Sequence, residues 1–310
     1  MDKIGIIYNP LAGSNKKHAS RRLAHLKNIL GNRGILRETR SMQELDEVAK
    51  EFHEQNVDIL AISGGDGTNH KVLTAFYKIY ENKTLPMLAL LRGGTMNLLE
   101  CSLGMRGNPE ARLTKLIKAT DNGKYPVISH TLLCVNGKFG YIFGNGLIAN
   151  FMEEYYGTGK PCLRQAVATF AKAFWTALAG KKAEQGLFAP IYAHVQVGDS
   201  MLPQKDFTAL MAATEKECGL GFKPFYRARQ EQGKFHFLAL NLEPKEMLRN
   251  LPRFRTGKQI ASDSFYTDVV TNSVQIETFK PYHYTIDGEM LNSTRFISLS
   301  SGPVVKIVAV

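Results

Sequence analysis

The chain has 310 residues, 44% apolar and 22% charged, which is the composition of a globular protein with a real core and room for two domains. Its net charge of +11 asks for an anionic partner: nucleic acid, an anionic membrane surface, or a polyanionic substrate such as a nucleotide. No zinc-finger, helix-turn-helix or basic–aromatic strand signature is present, so nucleic acid is set aside, and no apolar run reaches membrane-spanning length.

Ile4 to Tyr8 reads as a first strand, closed by Asn9-Pro10-Leu11-Ala12-Gly13. Lys16 to Leu30 follows as a basic amphipathic helix, Ile35 to Thr39 as a second strand, and Met42 to Gln55 as a helix with Leu45, Val48, Ala49 and Phe52 on one face. Val57 to Ile62 is β-branched and apolar over strand length, as a buried parallel strand should be. It runs into Ser63-Gly64-Gly65-Asp66-Gly67-Thr68, and Asn69 to Tyr80 is then helical, with Val72, Leu73, Phe76 and Ile79 in register. Strand, glycine turn and helix in that order suit a phosphate: glycines admit close backbone approach, and helix-start amides carry partial positive charge. Asp66 stands apart in that turn. A carboxylate beside a polyphosphate needs a metal ion or a substrate hydroxyl between them; otherwise Asp66 serves only as a helix cap. Leu85 to Leu91 is a fourth strand, again followed by glycines in Arg92-Gly93-Gly94-Thr95-Met96-Asn97. Ligands bind at the carboxyl ends of such parallel strands, so residues 1–125 are expected to form an α/β nucleotide-binding domain.

Beyond Gly123 the pattern changes to short strands with turn signals. Pro126 to Gly146 reads as two strands joined at Asn136-Gly137, a strong hairpin dipeptide. Pro190 to Val197, Phe207 to Ala213, Lys234 to Leu242, Ser273 to Phe279 and Tyr282 to Ile286 follow, with Asp287-Gly288 as a further turn. Cys162 to Lys182 reads as a helix, and Leu248 to Lys258 as a basic loop suited to solvent or to anionic lipid head groups. Residues 126–291 are therefore expected to form a mainly antiparallel second domain. Met1-Asp2-Lys3 leads straight into a strand, so no secretory leader is expected, and four scattered cysteines are expected to be reduced, mostly buried thiols of a cytoplasmic protein.

Asn9-Pro10-x-x-Gly13, Gly64-Gly65-Asp66-Gly67-Thr68, Gly93-Gly94-Thr95-x-Asn97 and Asp287-Gly288-Glu289, in that order, resemble the diacylglycerol kinase catalytic family of bacterial and eukaryotic lipid kinases. The resemblance implies an N-terminal α/β domain with a mostly parallel sheet holding ATP, and a C-terminal β-sandwich shaping a lipid site. It also implies that the chain's end, from about residue 292 to 310, returns to the first domain. NAD kinases share the glycine-Asp motif, but Gly93-Gly94-Thr95-x-Asn97 looks like the lipid-kinase form.

Carried over by position, Asn9, Pro10 and Gly13, with Thr39, would line the adenine and ribose side. Gly64, Gly65, Asp66, Gly67 and Thr68 would cradle the phosphates, and Gly94, Thr95 and Asn97 would complete the nucleotide pocket. Asp287 would be the general base on a lipid hydroxyl, Asp66 the second catalytic carboxylate, and Glu289 a ligand, through water, to Mg2+ or a support for the Asp287 turn. The chain departs from the family pattern at three acidic positions, occupied here by Lys71, Leu98 and Ile148. The implied activity is ATP- and magnesium-dependent transfer of the γ-phosphate to a lipid hydroxyl, by a cytoplasmic protein that visits an anionic membrane surface. A homodimer is compatible with its edge strands. The alternatives are a nucleotide- or lipid-binding member that has lost turnover, and a kinase of a soluble acceptor such as NAD.

Overall fold

A computed structural model describes residues 2–81, 84–94, 97–157, 186–219, 221–262 and 264–310. The helix expected over Cys162 to Lys182, and Thr95, lie outside the described residues. The chain divides into two compact units, residues 1–131 with 303–310, and residues 132–302.

In the first unit, β1 (Ile4–Tyr8), β2 (Gly34–Glu38), β3 (Ile59–Ser63) and β4 (Met87–Leu90) form a parallel sheet in the order β2-β1-β3-β4. The returning end of the chain adds a further parallel strand beside β4, with Ile307 opposite Leu88. Short connections between parallel strands require helices on the sheet faces, and they are present on both. On one face α2 (Ala19–Leu30) and α6 (Pro109–Asp121) bury Leu26, Leu30, Leu113 and Leu116 against Ile4, Ile6, Ile59 and Ala61. On the other, α3 (Met42–Glu54) and α4 (Asp66–Tyr80) bring Phe52 and Phe76 edge to face at 6.1 Å. Gly5 is where Phe52 fits: a Cβ there would lie 2.5 Å from its ring.

Local chemistry fixes the helix starts. Ser41 accepts from the Glu44 amide at 3.2 Å ahead of α3, and Asn108 caps α6 with Pro109 at its first position. The basic helix expected from Lys16 is two pieces, α1 (Gly13–Lys16) and α2, because His18 leaves helical geometry with φ −143° and ψ 41°.

The second unit is antiparallel and strand-rich, in the order β13 (Tyr266–Thr271), β12 (Phe235–Leu240), β11 (Ala209–Ala213), β7 (Ile142–Gly146), β14 (Ser273–Ile286), β15 (Glu289–Val308). The run of β15 from Pro303 onward belongs to the first unit. β5 (Val127–Val135) and β6 (Lys138–Gly140) pair across the Asn136-Gly137 turn, whose φ values of 48° and 76° suit that dipeptide. β8 (Ile191–Val197) pairs with β14, and its neighbours β9 (Ser200–Met201) and β10 (Asp206–Phe207) complete that layer.

Alternation along β11 feeds two cores. Leu210 and Ala212 pack toward Val195, Val274 and Ile297, while Ala209, Met211 and Ala213 pack toward α7 (Leu147–Gly157) and α8 (Pro244–Thr256). The second unit thus has a helical layer besides its sheets. The segment expected as a basic loop, Leu248 to Lys258, is mostly α8: Pro252 argues against a helix, yet burial of Met247 and Phe254 outweighs it. The long connection between β11 and β12 is pinned by Asp268, which accepts from Tyr226 Oη at 2.8 Å and pairs with His236 Nε2 at 2.8 Å. Of the described cysteines, Cys134 and Cys218 are half-buried, but Cys101 is exposed, because it sits on the outer side of a one-turn helix.

A Cβ at Gly34 would lie 1.7 Å from the Ile4 carbonyl oxygen in the β1–β2 ladder. Gly34→Ala should therefore cost about 3 kcal/mol, the upper end for overpacking, because the obstacle is backbone. Denaturant unfolding checks it: the midpoint falls while Asp268→Asn, in the other unit, acts additively.

Candidate active site

Three loops at the carboxyl ends of β1, β3 and β4 interlock through amide side chains. Asn9 donates from Nδ2 to Thr68 Oγ1 at 2.9 Å, and its Oδ1 accepts from the Leu11 amide at 2.9 Å. Asn15, fully buried, donates from Nδ2 to the Asn9 and Ser63 carbonyls, both at 2.9 Å, while its Oδ1 accepts from Arg22. Asn97, at φ 50°, accepts on Oδ1 from the Gly93 and Gly94 amides at 3.3 and 3.0 Å and donates from Nδ2 to the Gly94 carbonyl at 3.0 Å. Left-handed geometry is tolerated by asparagine, which explains that residue there.

Glycine is required in these loops by the protein's own packing. A Cβ on Gly65 would meet Gly94 Cα at 2.9 Å, one on Gly94 would meet Gly65 Cα at 2.4 Å, and one on Gly64 would strike Thr68. Gly65 and Gly94 touch backbone to backbone, with no side chain of the described residues between them. Thr68 closes the start of α4 by accepting from the Gly65 amide at 3.3 Å, with its own amide on the Gly65 carbonyl at 2.8 Å. Gly67 lies in the first turn of that helix. Pro10 is buried, Gly13 opens α1, and Thr39, buried at the end of β2, donates its amide to the Tyr8 carbonyl at 3.0 Å. Asn9, Thr68, Gly64, Gly65, Gly94 and Asn97 are thus brought together; Thr39 stands at the next strand's end.

Asp66 is the first residue of α4, three residues earlier than the sequence pattern places the helix start. Its Oδ1 accepts from the Leu98 amide at 2.7 Å, so it caps α5 (Leu98–Ser102) in the neighbouring glycine loop rather than its own helix. Burial pushes its carboxyl up to about 6 against the pull of those amides. Glu100, on α5, was not among the residues singled out from sequence. It is fully buried, neither carboxylate oxygen has a hydrogen-bond partner among the described residues, and burial and then the Asp66 charge push it up to about 7. No local sequence signature marks it, because its surroundings come from residues distant in sequence. Lys71 lies exposed on α4, and Ile148 packs partly buried against the second unit's core.

In the second unit Asp287 and Gly288 form a two-residue turn between β14 and β15, with φ 50° and 80° and Ile286 opposite Glu289. Asp-Gly is the dipeptide such a turn selects. The turn also has a polar use: Asp287 Oδ1 accepts from the Tyr141 and Ile142 amides at 2.9 and 2.8 Å, and the Asp287 amide donates to the Ile142 carbonyl at 2.9 Å. These three hydrogen bonds leave a buried carboxylate fixed in place. A Cβ on Gly140 would come within 2.7 Å of Asp287 Oδ2, so Gly140 makes room for it. Glu289 is half-buried at the start of β15.

A family model described as Diacylglycerol kinase catalytic domain matches residues 3–124. The glycine turns, Asp66 and Asn97 just described lie within the matched residues. Two crystal structures from Bacillus anthracis str. Sterne share the fold at 19% identity over 100% of this chain and 97% of theirs. One is of a candidate diacylglycerol kinase, with a TM-score of 0.71, and one is described as a diacylglycerol kinase, with a TM-score of 0.63. No curated protein matches the sequence.

Asn97→Ala should remove the bonds that shape the Gly93-Gly94 turn, lowering stability by about 1–3 kcal/mol in denaturant unfolding. The raised Glu100 carboxyl has a sign that can be checked. Its folded value near 7 exceeds the unfolded one near 4.5, so its stabilising share is whole below pH about 4.5 and lost as pH rises through 7. Glu100→Gln should therefore gain melting temperature relative to wild type between pH 5 and 8, by differential scanning calorimetry.

Proposed function

We propose that the protein is an ATP-dependent lipid kinase, transferring the γ-phosphate to a hydroxyl of a diacylglycerol-like or sphingoid lipid. The observation that carries this reading is Asp287: a buried carboxylate on a left-handed turn, held by two backbone amides, at the position of the family's general base. A hairpin turn alone requires no such anchoring. Phosphoryl transfer needs an oriented hydroxyl more than a strong base, and a carboxylate with one oxygen fixed on amides provides orientation.

ATP fits the first unit. Glycine loops joined backbone to backbone at the start of α4 let a ligand approach the main chain closely, and helix-start amides favour phosphate. Among the described residues no group of three or more His, Cys, Asp or Glu gathers to hold a metal. Magnesium is therefore taken as a companion of the nucleotide, held chiefly by phosphates and water. Bound in that way it would supply charge neutralisation on the phosphates.

Membrane contact is the accompanying proposal. No described helix is long and apolar enough to cross a membrane. The outer face of α8 and its continuation exposes Lys245, Arg249, Arg253, Arg255 and Lys258, a cationic stripe that suits anionic head groups from the cytoplasmic side. Exposed strand edges leave a homodimer open to test by sedimentation.

The test is transfer of labelled γ-phosphate from magnesium ATP to a total lipid extract in mixed micelles. Wild type should label an organic-phase product, and Asp287→Asn should lower the rate by about 10²–10⁴ with the fold intact by circular dichroism. Labelling of a water-soluble acceptor instead, without micelles, would replace the lipid reading with the soluble-kinase one. Nucleotide binding without transfer to any acceptor would favour a member that has lost turnover.

A further inference from the structure

Three strand-end loops converge on the fully buried side chain of Asn15. Its Nδ2 donates to the Asn9 carbonyl after β1 and to the Ser63 carbonyl at the end of β3, both at 2.9 Å. The Ser14 and Asn15 amides donate to the Gly93 carbonyl after β4 at 2.9 and 3.3 Å, and a Cβ on Gly93 would lie 2.7 Å from Asn15 Nδ2. Two carbonyls on one side of the side-chain amide demand its nitrogen there; turned over, its oxygen would face two oxygens with no proton between them. What meets the amide on its other side is Arg22, on α2. Nη1 of Arg22 donates to Asn15 Oδ1 at 3.1 Å and to the Ser14 carbonyl at 2.9 Å, while Nε donates to Glu110 Oε1 on α6 at 3.1 Å. The Arg22 and Glu110 side chains are only 17% and 22% exposed, so solvent screens the pair weakly. A charged donor makes the stronger bond, and it polarises the amide toward the carbonyls on its far side. The same two helices are tied at their other end, where Arg33, just past α2, pairs with Asp121 at the end of α6. That pair has the same chemistry but stands at the amino end of β2, away from the loops.

We propose that Arg22 is a positioning residue for the nucleotide loops: by holding the Asn15 amide in one orientation, it keeps the ends of β1, β3 and β4 together before a phosphate arrives. Arg22 does not meet the nucleotide; it acts through Asn15, and Glu110 fixes its guanidinium. Loops already held in place lose little freedom when the ligand binds, so the contribution of Arg22 is to affinity. The inference rests on the reading of these loops as an ATP site.

The experiment compares wild type, Arg22→Met and Arg33→Met in binding magnesium ATP, by calorimetry. Methionine keeps much of the stem and removes the charge, and the Arg33 variant breaks the matching ion pair at the far end of the same helices. Arg22→Met should raise Kd about ten-fold or more, and raise KM for ATP with kcat nearly unchanged, while Arg33→Met stays near wild type. An unchanged Kd in Arg22→Met overturns the proposal. Equal weakening in both variants overturns it too, since that is what a loosened α2–α6 contact alone would give. Asn15→Ala tests the route: adding Arg22→Met to it should weaken binding no further, and an additive second loss overturns action through Asn15. A readout without nucleotide is hydrogen exchange at the Ser14 and Asn15 amides, both bonded to the Gly93 carbonyl. Exchange there should quicken about ten-fold in Arg22→Met and not in Arg33→Met, with the Ile6 and Ala61 amides of the β1–β3 ladder unmoved in both. Quickening across the whole sheet, or none at Ser14 and Asn15, overturns the proposal, and this readout decides if Asn15→Ala does not fold. If wild type binds no nucleotide, the ATP reading fails by itself, and exchange alone then decides the role of Arg22: local quickening upholds it, none overturns it.

Discussion

Two glycine turns that touch through their backbones set the geometry of the first unit's strand ends. Gly65 and Gly94 approach so closely that a methyl group on either would overlap the other's Cα. Close packing of main chain leaves polar groups that must find partners, and three asparagines supply them: Asn9 joins the Leu11 amide to Thr68 Oγ1, Asn15 joins the Asn9 and Ser63 carbonyls, and Asn97 holds the Gly93 and Gly94 amides of its own loop. Side-chain amides suit this work because each carries donors and an acceptor on one short stem. The loops therefore behave as one body, and α4 begins where that body ends.

The same contact explains why Asp66 and Glu100 lie buried together. Once the Gly93-Gly94 turn is fixed against Gly64-Gly65, the start of α5 is carried to the start of α4. The α5 amides then fall on Asp66, and Glu100 follows one helical step behind. Burying two carboxylates in one place is costly, and their raised proton affinities record it. Structures keep such arrangements at sites that use them more readily than in plain cores.

The second unit solves a different problem with the same means. A two-residue turn forces Asp287 into left-handed geometry, and the bend at Tyr141, between β6 and β7, turns two amides toward its carboxylate. The β6–β7 break, which sequence alone shows as one uninterrupted strand, is thus the complement of Asp287. Behind it, β11 feeds a sheet core on one side and a helical core on the other, which holds the strands that carry both turns.

Much of this was legible in the chain. Alternating strands and helices, glycines at three strand ends and hairpin dipeptides at Asn136-Gly137 and Asp287-Gly288 determine the parallel first unit and the antiparallel second, because backbone geometry at those points admits few residues. Asn9, Asp66, Asn97 and Asp287 could be named for the same reason: they sit inside turns with a readable local signature. Asn15, Gly140, Tyr141 and Glu100 could not. Each matters through a partner far away in sequence, as Asn15 does through Ser63 and Gly140 through Asp287. Helix α8 was hidden too, since a proline and a run of arginines outweigh its apolar face until Met247 and Phe254 find their core. Local sequence determines what conformation a segment accepts; which buried groups meet, and so where a carboxylate's proton affinity lies, follows only from packing at a distance.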